Sequence, residues 1–352
     1  MKVLVLCGGR SAERDVSCVS AAAIIRNLSA RHKPSLVRVD PAGRWHWQKD
    51  PRAFSRHPKP FRYPFDKIPV RLEPGPRFAL RAGGRTETAD VVFPALHGPF
   101  GEDGTLQGCL DVLGVPYVGP GVLGSAVGMD KEVTKRLARA AGLPVLPYAV
   151  LESPAETSKA RGLRIPLFVK PARLGSSVGV YKVKTRADLA KAVRKAFRFD
   201  TTVIVEQGVR AREIECAVLG GGGTVSASAV GEIRPNAEFY SYEAKYLDPR
   251  GAELLIPAEL SSGRVKEVQD LSIRAFKVLG GHGLARVDFL MDWRTGKLWF
   301  NEVNTLPGFT AISMYPKLWE YSGVSFPRLI DRLLGLAVER HRRRSSLRVT
   351  RD

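Results

Sequence analysis

Two stretches near the C-terminus carry carboxylates at a spacing that suits metal binding. Residues 285–292 and 298–304 have strand-like sequences on either side of a turn sequence at 293–297. If they pair as a hairpin centred on Thr295, the side-chain period of two puts four polar groups on one face. These groups are Asp288 opposite Glu302, and Arg286 opposite Asn304.

Two carboxylates and an amide oxygen are the ligands of a hard cation such as Mg²⁺, which keeps waters and substrate phosphates as its other ligands. The same register puts Leu290 and Phe300 on the polar face and Val287, Phe289 and Val303 on the other. A solvated hairpin face with one cross-strand ion pair is the alternative, and the hairpin alone does not decide between the two.

A Gly/Ser-rich segment at 170–179 is a candidate phosphate site. Lys170 ends a predicted strand, and the small residues that follow it, including Ser176 and Ser177, allow backbone N–H groups to approach a phosphate. A flexible hairpin turn is the alternative. Residues 204–209 form a strand that runs into a polar break, which could present backbone groups to an adenine edge.

Two further polar residues are candidates near the N-terminal half of the chain. Ser11 is a natural N-cap, and Glu13 lies in the first turn of the helix, where the helix dipole favours a carboxylate. This structural role is by itself enough to explain Glu13. His97 follows a buried strand at 91–96, and ligands of open α/β sheets bind at the carboxyl ends of strands. A lone histidine is nevertheless more often structural.

Several classes of protein are excluded. No G-x-x-x-x-G-K-[ST] or G-x-G-x-x-G sequence is present. The four cysteines form no C-x-x-C pair, which argues against zinc and a disulfide framework and favours a reducing compartment. The apolar run at 3–7 is too short for a signal peptide, and no stretch is long enough for a membrane span. We therefore expect a cytoplasmic protein without membrane insertion.

The order of predicted elements favours an α/β fold with a largely parallel sheet. Strands at 3–7, 91–96 and 116–119 alternate with helices at 11–28 and 105–113, and residues 41–86 form an insert with one or two hairpins. Residues 119–128 are predicted as a glycine-rich turn, and a capping box at 153–156 predicts the start of a helix. Residues 234–257 are predicted as a loop, and the last helix covers about 326–340.

Taken together, these motifs resemble the D-alanine–D-alanine ligase family, which has the ATP-grasp fold. The matching segments are GGRSAERDVS at 8–17, HGPFGEDGTLQG at 97–108, MDK at 129–131, VKPARLGSSVGV at 169–180, EIECAVLG at 213–220, YEAKY at 242–246, RVDF at 286–289 and NEVNTLPGFT at 301–310. The resemblance runs from about residue 3 to residue 335. It implies ATP-dependent ligation of two D-alanines through an acyl phosphate, for peptidoglycan precursor synthesis.

The resemblance also implies a role for each matching residue. The residues expected at the ATP phosphates are Lys131, Lys170, Ser177 and Lys245. Glu206 and the backbone near Gln207 and Val209 are expected at adenine, and Glu213 is expected at the ribose. Two Mg²⁺ (or Mn²⁺) would be held by Asp288, Glu302 and Asn304. Those expected at the substrates are Glu13, Ser176, Tyr246, His97, Arg286, the Gly308 N–H and Ser313. Leu174 and Gln207 depart from residues found in some members, Glu and Lys respectively, so nucleotide affinity could differ.

The implied organisation is an N-terminal open parallel α/β (pre-ATP-grasp) domain followed by a two-lobed ATP-grasp domain. The expected boundaries are 1–121, 122–208 and 209–340, with a lid at 234–257 and a basic, disordered tail at 341–352. A homodimer is usual in the family. D-alanine–D-lactate and D-alanine–D-serine ligases share the fold, and Tyr246 favours D-alanine over D-lactate because lactate-type enzymes typically carry His there.

The charge of the chain raises nucleic acid as another partner. With 55 Lys plus Arg against 35 Asp plus Glu, the net charge is +20. Most of the excess lies at 31–71, 182–198 and 340–352, outside the motifs above. A nucleic-acid-binding function also leaves the acidic hairpin pair unexplained. We therefore interpret the charge as surface character with at most weak, salt-screened polyanion binding, and expect no specific nucleic acid partner.

Overall fold

The computed structural model describes residues 1–75, 78–235 and 252–348. Strands in these ranges form three sheets that follow one another along the chain. The first has seven strands within residues 2–94, the second four within 148–207, and the third five within 211–304. No helix in the described ranges combines the length and the apolar character needed to cross a membrane.

The first sheet contains β1 (Lys2–Gly8), β2 (Lys33–Val39), β3 (Trp45–Gln48), β4 (Ile68–Glu73), β5 (Ala79–Ala82), β6 (Arg85–Thr88) and β7 (Val91–Pro94), in the order β6-β5-β4-β3-β2-β1-β7. β1 pairs in parallel with β2 and β7, which confirms the α/β class. β2 to β6 pair antiparallel in turn. The sheet is therefore mixed rather than largely parallel, because the insert adds its strands to the edge at β2.

The other two sheets are antiparallel. The second contains β8 (Tyr148–Leu151), β9 (Leu167–Pro171), β10 (Tyr181–Val183) and β11 (Val203–Gln207), in the order β10-β9-β11-β8. The third contains β12 (Ala211–Gly221), β13 (Thr224–Pro235), β14 (Ala252–Leu255), β15 (Gly283–Asp292) and β16 (Leu298–Asn304), in the order β14-β13-β12-β15-β16.

The described helices are α1 (Arg14–Asn27), α2 (Pro51–Arg56), α3 (Thr105–Val112), α4 (Val122–Met129), α5 (Lys131–Ala140), α6 (Leu189–Ala196), α7 (Ser262–Val278), α8 (Met314–Tyr321) and α9 (Phe326–Ser345). Three short segments of 3-10 helix lie at Pro60–Arg62, Glu156–Ala160 and Arg186–Asp188. α5 begins at a true N-cap, since the Asp130 carboxylate accepts the N–H groups of Glu132 and Val133.

Several predicted elements are wrong in type or extent. Residues 119–128 contain helix α4 instead of an irregular turn. Residues 116–119 make only a single bridge, Tyr117 to Val92. The capping box at 153–156 leads only to a five-residue 3-10 segment, because Gly162 and Pro166 follow too closely for a longer helix.

The helix ends also differ from prediction. α1 begins at Arg14, because the Ser11 hydroxyl accepts the N–H of Glu13 and donates to the carbonyl of His97 at 2.6 Å instead of capping a helix. α9 continues to Ser345, so the first five residues of the predicted disordered tail are helical. The predicted loop at 234–257 contains β14, and its residues 236–251 lie outside the described ranges.

One apolar core joins the first sheet to the C-terminal helices. It contains Val5 of β1, Ile24 of α1, Tyr315 of α8 and Leu333 of α9, all fully buried. Leu306, in the loop after β16, belongs to the same core. The two ends of the chain are therefore packed together, which fixes the loop after β16 against the carboxyl ends of β1 and β7.

Candidate active site

The β15–β16 hairpin has the predicted register at its polar end. Asp288 lies opposite Glu302, and Arg286 lies opposite Asn304. A bulge after Asp288 then shifts the pairing, so that Phe300 faces Phe289, with their ring centroids 6.1 Å apart. The prediction that Phe300 shares the polar face is wrong, because the extra residue in the bulge turns this fully buried ring into the apolar core.

Arg286 and Asp288 form a side-on ion pair. Nε and Nη2 of Arg286 each donate to a carboxylate oxygen of Asp288 at 2.8 Å, and Asn304 Nδ2 donates to Oδ2 of Asp288 at 2.9 Å. Burial by itself would lower the pKa of Arg286, but the negative charges of Asp288 and Glu215 outweigh burial and hold this pKa well above its usual value. Arg286 is therefore a permanent positive charge in the site.

Glu215 is a site residue that the sequence analysis missed. It lies on β12 directly opposite Asp288, and its Oε2 is 2.9 Å from Nε of Arg286. The signal was available, because Glu213 and Glu215 are two residues apart in a strand and so share a face. Glu213, which was predicted, pairs with Leu290 on the same strand β15 and is partly buried.

The hairpin oxygens suit a hard divalent cation. Asp288, Glu302 and Asn304 offer two carboxylates and an amide oxygen, and Lys131 Nζ lies 3.7 Å from Glu302 Oε2. Within the described ranges no group of three His, Cys, Asp or Glu side chains could hold a metal ion, so the amide of Asn304 is needed to complete the set. An all-oxygen set of this kind fits Mg²⁺.

Two lysines hold the buried carboxylate of Glu206. Lys170 Nζ lies 2.5 Å from Glu206 Oε2, and Lys135 contacts Oε1. Burial would raise the pKa of Glu206, but the two lysines outweigh it and lower that pKa. Burial lowers the pKa of Lys135, partly offset by Glu206. Lys135 was also missed, although it is four residues after Lys131 and so lies on the same face of α5.

The glycine-rich loop after β9 is tied to both sides of the site. Lys131 Nζ donates to the carbonyl of Leu174 at 2.5 Å, and the Ser176 hydroxyl donates to Glu13. Ser176 and Ser177 have φ of 52° and 60°, a left-handed conformation that non-glycine residues rarely adopt. Such backbone strain persists where surrounding contacts hold it, and it is concentrated at functional sites.

His97 links the first sheet to the loop after β16. Its Nδ1 donates to the carbonyl of Leu306 at 3.1 Å, which leaves Nε2 to accept from the Ser20 hydroxyl at 3.2 Å. Ser20 Oγ in turn accepts the N–H of Phe309. Burial lowers the pKa of His97 against the opposing effect of Glu13, so the ring is neutral. The structure thus gives His97 a structural link to the loop that carries Gly308.

Glu102 is a further carboxyl near this site that the sequence analysis did not single out. It accepts the N–H of Gly98 at 2.9 Å. Burial, and then the negative charge of Glu13, raise its pKa to about 8. The HGPFGEDG segment contained this signal, because it places the carboxyl of Glu102 five residues after His97.

The loop and helix that follow β16 bring Gly308 next to Ser313. A Cβ at Gly308 would lie 2.8 Å from the Ser313 hydroxyl oxygen, so a larger residue here would require this hydroxyl to move. Ser313 precedes α8, and its Oγ accepts the N–H of Thr310 at 3.0 Å. The hydroxyl of Ser313 therefore lies beside the backbone of Gly308.

The remaining predicted residues are less fully defined by contacts. Gln207 Oε1 accepts the N–H of Arg164 at 3.1 Å, so this amide packs onto the loop before β9. Val209 is partly buried in the short connection between β11 and β12. Lys245 and Tyr246 lie outside the described residues, and so does most of the predicted lid.

The fold and the site together define the class. Two antiparallel sheets follow an α/β domain, and their lysines and carboxylates lie beside a glycine-rich loop. This architecture is the ATP-grasp fold.

The chain belongs to the D-alanine–D-alanine ligase family. The family model described as "D-ala D-ala ligase N-terminus" matches residues 2–120, and "D-ala D-ala ligase C-terminus" matches residues 137–335. The chain is 49% identical to D-alanine--D-alanine ligase A of Bradyrhizobium diazoefficiens, over 99% of this chain and 97% of that protein.

Solved structures agree with this assignment. The D-alanine-D-alanine ligase of Coxiella burnetii superposes with a TM-score of 0.88 at 39% identity, covering 98% of this chain and 96% of that one. The VanG D-Ala:D-Ser ligase of Enterococcus faecalis superposes with a TM-score of 0.86 at 34% identity, covering 96% and 99%.

Proposed function

We propose that this protein ligates two D-alanine molecules to D-alanyl-D-alanine, using ATP and passing through an acyl phosphate. The product would supply peptidoglycan precursor synthesis. The observation that carries the proposal is a series of contacts in a chain of this family. Glu13 binds the Ser176 loop, and Lys131 links that loop to Glu302, which lies opposite Asp288. A carboxylate for the substrate ammonium, a phosphate loop and a fixed positive charge are the parts that a carboxylate–amine ligase needs.

The proposed nucleotide site lies between the second and third sheets. Lys131, Lys170, Ser177 and Lys245 are assigned to the phosphates, Glu206 with the backbone at Gln207 and Val209 to adenine, and Glu213 to the ribose. Asp288, Glu302 and Asn304 would hold two Mg²⁺ (or Mn²⁺). When bound, these ions neutralise charge on the phosphoryl group during its transfer.

The substrate-binding roles are those that the resemblance to the family implies, and the chemistry of each group is compatible with them. Glu13, held by Ser176, would bind the ammonium of the first D-alanine, and Ser313 would bind the carboxylate of the second. The amine that attacks the acyl phosphate must be deprotonated, and the tetrahedral oxyanion that forms needs donors already in position. Arg286 and the Gly308 N–H are assigned to this oxyanion, because Asp288 and Glu215 hold the guanidinium fixed.

Two other residues, His97 and Tyr246, are also assigned to the substrate site. His97 would line the first D-alanine site while its hydrogen bond to Leu306 positions the loop of Gly308. Tyr246 would join Glu13 and Ser176 from the lid at 234–257. Closure of this segment would keep water from the acyl phosphate.

The test is ATP turnover with D-alanine as the single amino acid. We expect phosphate release with stoichiometric formation of D-alanyl-D-alanine, resolved by chromatography, and no stimulation by L-alanine. Equal stimulation by L-alanine, or phosphate release without dipeptide, would contradict the proposal.

A D-alanine–D-serine or D-alanine–D-lactate ligase is the second candidate, and the similarity to the VanG D-Ala:D-Ser ligase favours including it. Competition between D-alanine, D-serine and D-lactate, followed from pH 6 to pH 9 by product identity, distinguishes the three. Predominant D-alanyl-D-alanine at neutral pH is expected if Tyr246 acts as assigned.

The cytoplasm, where ATP is supplied, is the proposed location, and a homodimer is the proposed state. Light scattering on the purified protein tests the second statement: a mass near 38.6 kDa would contradict it.

A further inference from the structure

A cavity lies beside the first sheet. It has a volume of about 430 Å³ and lies where β1 and β2 end. Its basic lining residues are Arg14 on α1, Arg38 on β2, and Arg44, His46 and Lys67 from the insert. None of the residues assigned to ATP, metal or D-alanine lines it.

Arg38 is the central feature of this cavity. The residue is 4% exposed, and its guanidinium stacks on the rings of Phe65 and Phe54, at 4.2 and 5.4 Å from the ring centroids. Nη1 donates to the carbonyls of Tyr63 and Pro64, at 2.9 and 3.1 Å. These contacts fix the plane of the guanidinium and leave the Nε–Nη2 edge for another partner.

That edge has no partner within the described part of the chain. Arg38 Nε is buried without a hydrogen-bond acceptor, Nη2 makes no hydrogen bond, and no carboxylate lies within 4.0 Å of the guanidinium. The Nε–Nη2 edge is the one that binds two oxygens of a carboxylate or phosphate side-on, as Arg286 binds Asp288 in the active site. A buried guanidinium without a counter-ion is costly, which points to an anion from outside the chain.

The remaining groups strengthen the positive field. Arg44 and His46 both contact Asp40, the single acidic lining residue, at 2.7 and 3.2 Å. His46 Nδ1 is a second buried nitrogen without a hydrogen-bond partner. Four arginine and lysine side chains against one carboxylate leave a net charge of +3 on the lining before any contribution from His46. This excess favours a multiply charged anion over a single carboxylate.

The shape and the apolar lining also limit the ligand. Phe61 and Phe65 line the cavity together with the cationic residues, and 430 Å³ lies in the range of small-molecule sites. We propose that the cavity binds a small phosphate-bearing anion, with the Nε–Nη2 edge of Arg38 as the central contact. Free phosphate and an organic phosphate present the same oxygens to Arg38, but only an organic phosphate has a group that can pack against the phenylalanine rings.

Calorimetric titration of the full-length protein tests this proposal. Mg²⁺ and a non-hydrolysable ATP analogue are kept at saturation so that the nucleotide site is filled, and sodium chloride holds the ionic strength constant. The probes are inorganic phosphate, phenyl phosphate and phenol. We expect one saturable site for both phosphates. Tighter binding of phenyl phosphate identifies an organic phosphate as the ligand class, and equal binding identifies free phosphate.

The variants locate the site. Arg38→Met keeps an apolar side chain between the rings and should weaken phosphate binding by about tenfold or more. Arg14→Gln with Lys67→Gln, both at the rim, should weaken it less while leaving the core intact. Arg85→Gln removes the same charge from exposed strand β6 of the same insert and should bind like the unmodified protein.

Three outcomes overturn the proposal. They are no saturable heat with either phosphate, binding of phenol as tight as that of phenyl phosphate, and affinities for the Arg14/Lys67 variant equal to those of Arg85→Gln. The third comparison decides the matter even if Arg38→Met does not fold.

Discussion

At the residue scale, the site is organised by the charges that surround each group. Two lysines lower the pKa of Glu206, whereas burial and the charge of Glu13 raise the pKa of Glu102 to about 8. Two carboxyl groups of the candidate site therefore differ in protonation at neutral pH. Their environment, and not their residue type, sets what each can do.

The metal assignment predicts loss of ligation on neutralising either hairpin carboxylate. Asp288→Asn or Glu302→Gln should reduce D-alanine-dependent phosphate release to roughly 1% or less, because a negative ligand of the cation is lost. Steady-state release at saturating ATP measures this. Asp270→Asn, on the exposed face of α7, is the control and should keep full activity. Near-normal turnover in both hairpin variants would remove the basis for the metal site.

The raised pKa of Glu102 predicts a pH-dependent stability. Between pH 4.5 and about 8 the unfolded carboxyl is ionised while the folded one keeps its proton, so this group makes the fold less stable as the pH rises through that window. Glu102→Gln removes the effect. Relative to the unmodified protein it should gain about 1–3 kcal/mol in free energy of unfolding between pH 5 and pH 9, measured with urea. Parallel stability curves for the two proteins would contradict the assignment.

The buried lysine pair predicts a contrast between two ion pairs. Lys135→Met leaves Glu206 with one cation instead of two and should lower the free energy of unfolding by about 3 kcal/mol, because a buried charge loses a partner. Lys266→Met breaks the exposed pair with Asp270 and should cost about 0.5 kcal/mol. Urea unfolding at pH 7 compares them. Equal effects would show that Lys170 alone compensates Glu206.

At the scale of elements, close backbone packing positions helix α4 before the lysine-bearing helix α5. A Cβ at Gly124 would lie 2.4 Å from the carbonyl oxygen of Gly280, after α7. Because that oxygen belongs to the backbone, it cannot move aside as a flexible side chain would. The glycine is therefore required by the contact between α4 and the end of α7, although helices generally disfavour glycine.

Two helical glycines should respond oppositely to the same substitution. Gly124→Ala should destabilise the fold by about 1–3 kcal/mol through overlap with Gly280. Gly335→Ala, exposed in α9 with nothing within 4 Å of a Cβ, should stabilise it by about 0.5–1 kcal/mol. Chemical unfolding of the two variants provides the comparison. A stabilised Gly124→Ala would mean that α4 can move away from the end of α7.

At the scale of the whole molecule, the C-terminal helix ties the two ends of the chain together. α9 packs in the core with α1, and Arg340 donates to the carbonyls of Tyr117 and Gly119. Beyond it, Arg344 forms an ion pair with Asp111 at 2.5 Å. The basic residues at 340–345 are therefore partly structural, which revises the interpretation of this segment as a disordered tail.

Truncation should show where the structural part of α9 ends. Ending the chain after Ser345 should change neither activity nor stability. Ending it after Arg340 removes the last turn and the Arg344–Asp111 pair, and should cost about 1 kcal/mol while ligation continues. Thermal unfolding and phosphate release on both forms test this. Loss of activity in the shorter form would show that the last turn supports the site.

The sequence by itself determined the parts that depend on local order. Strand periodicity and a turn sequence are properties of neighbouring residues, so the pairing of Asp288 with Glu302 followed from spacing alone. The motif segments likewise identified the family and hence the fold class. The bulge that moved Phe300 was not visible, because it depends on how that ring packs into a core built by other elements.

Only the tertiary structure decided which distant groups meet. Glu215 on β12 contacts Arg286 on the neighbouring strand β15, and Lys135 on α5 contacts Glu206 on β11. Arg38 is enclosed by rings that the insert brings to β2. Much of the net charge of +20 looked like surface character along the sequence, yet part of it lines a cavity around a buried guanidinium. Spacing fixes which residues share a face, whereas burial and long-range contacts fix their partners and therefore their charge states.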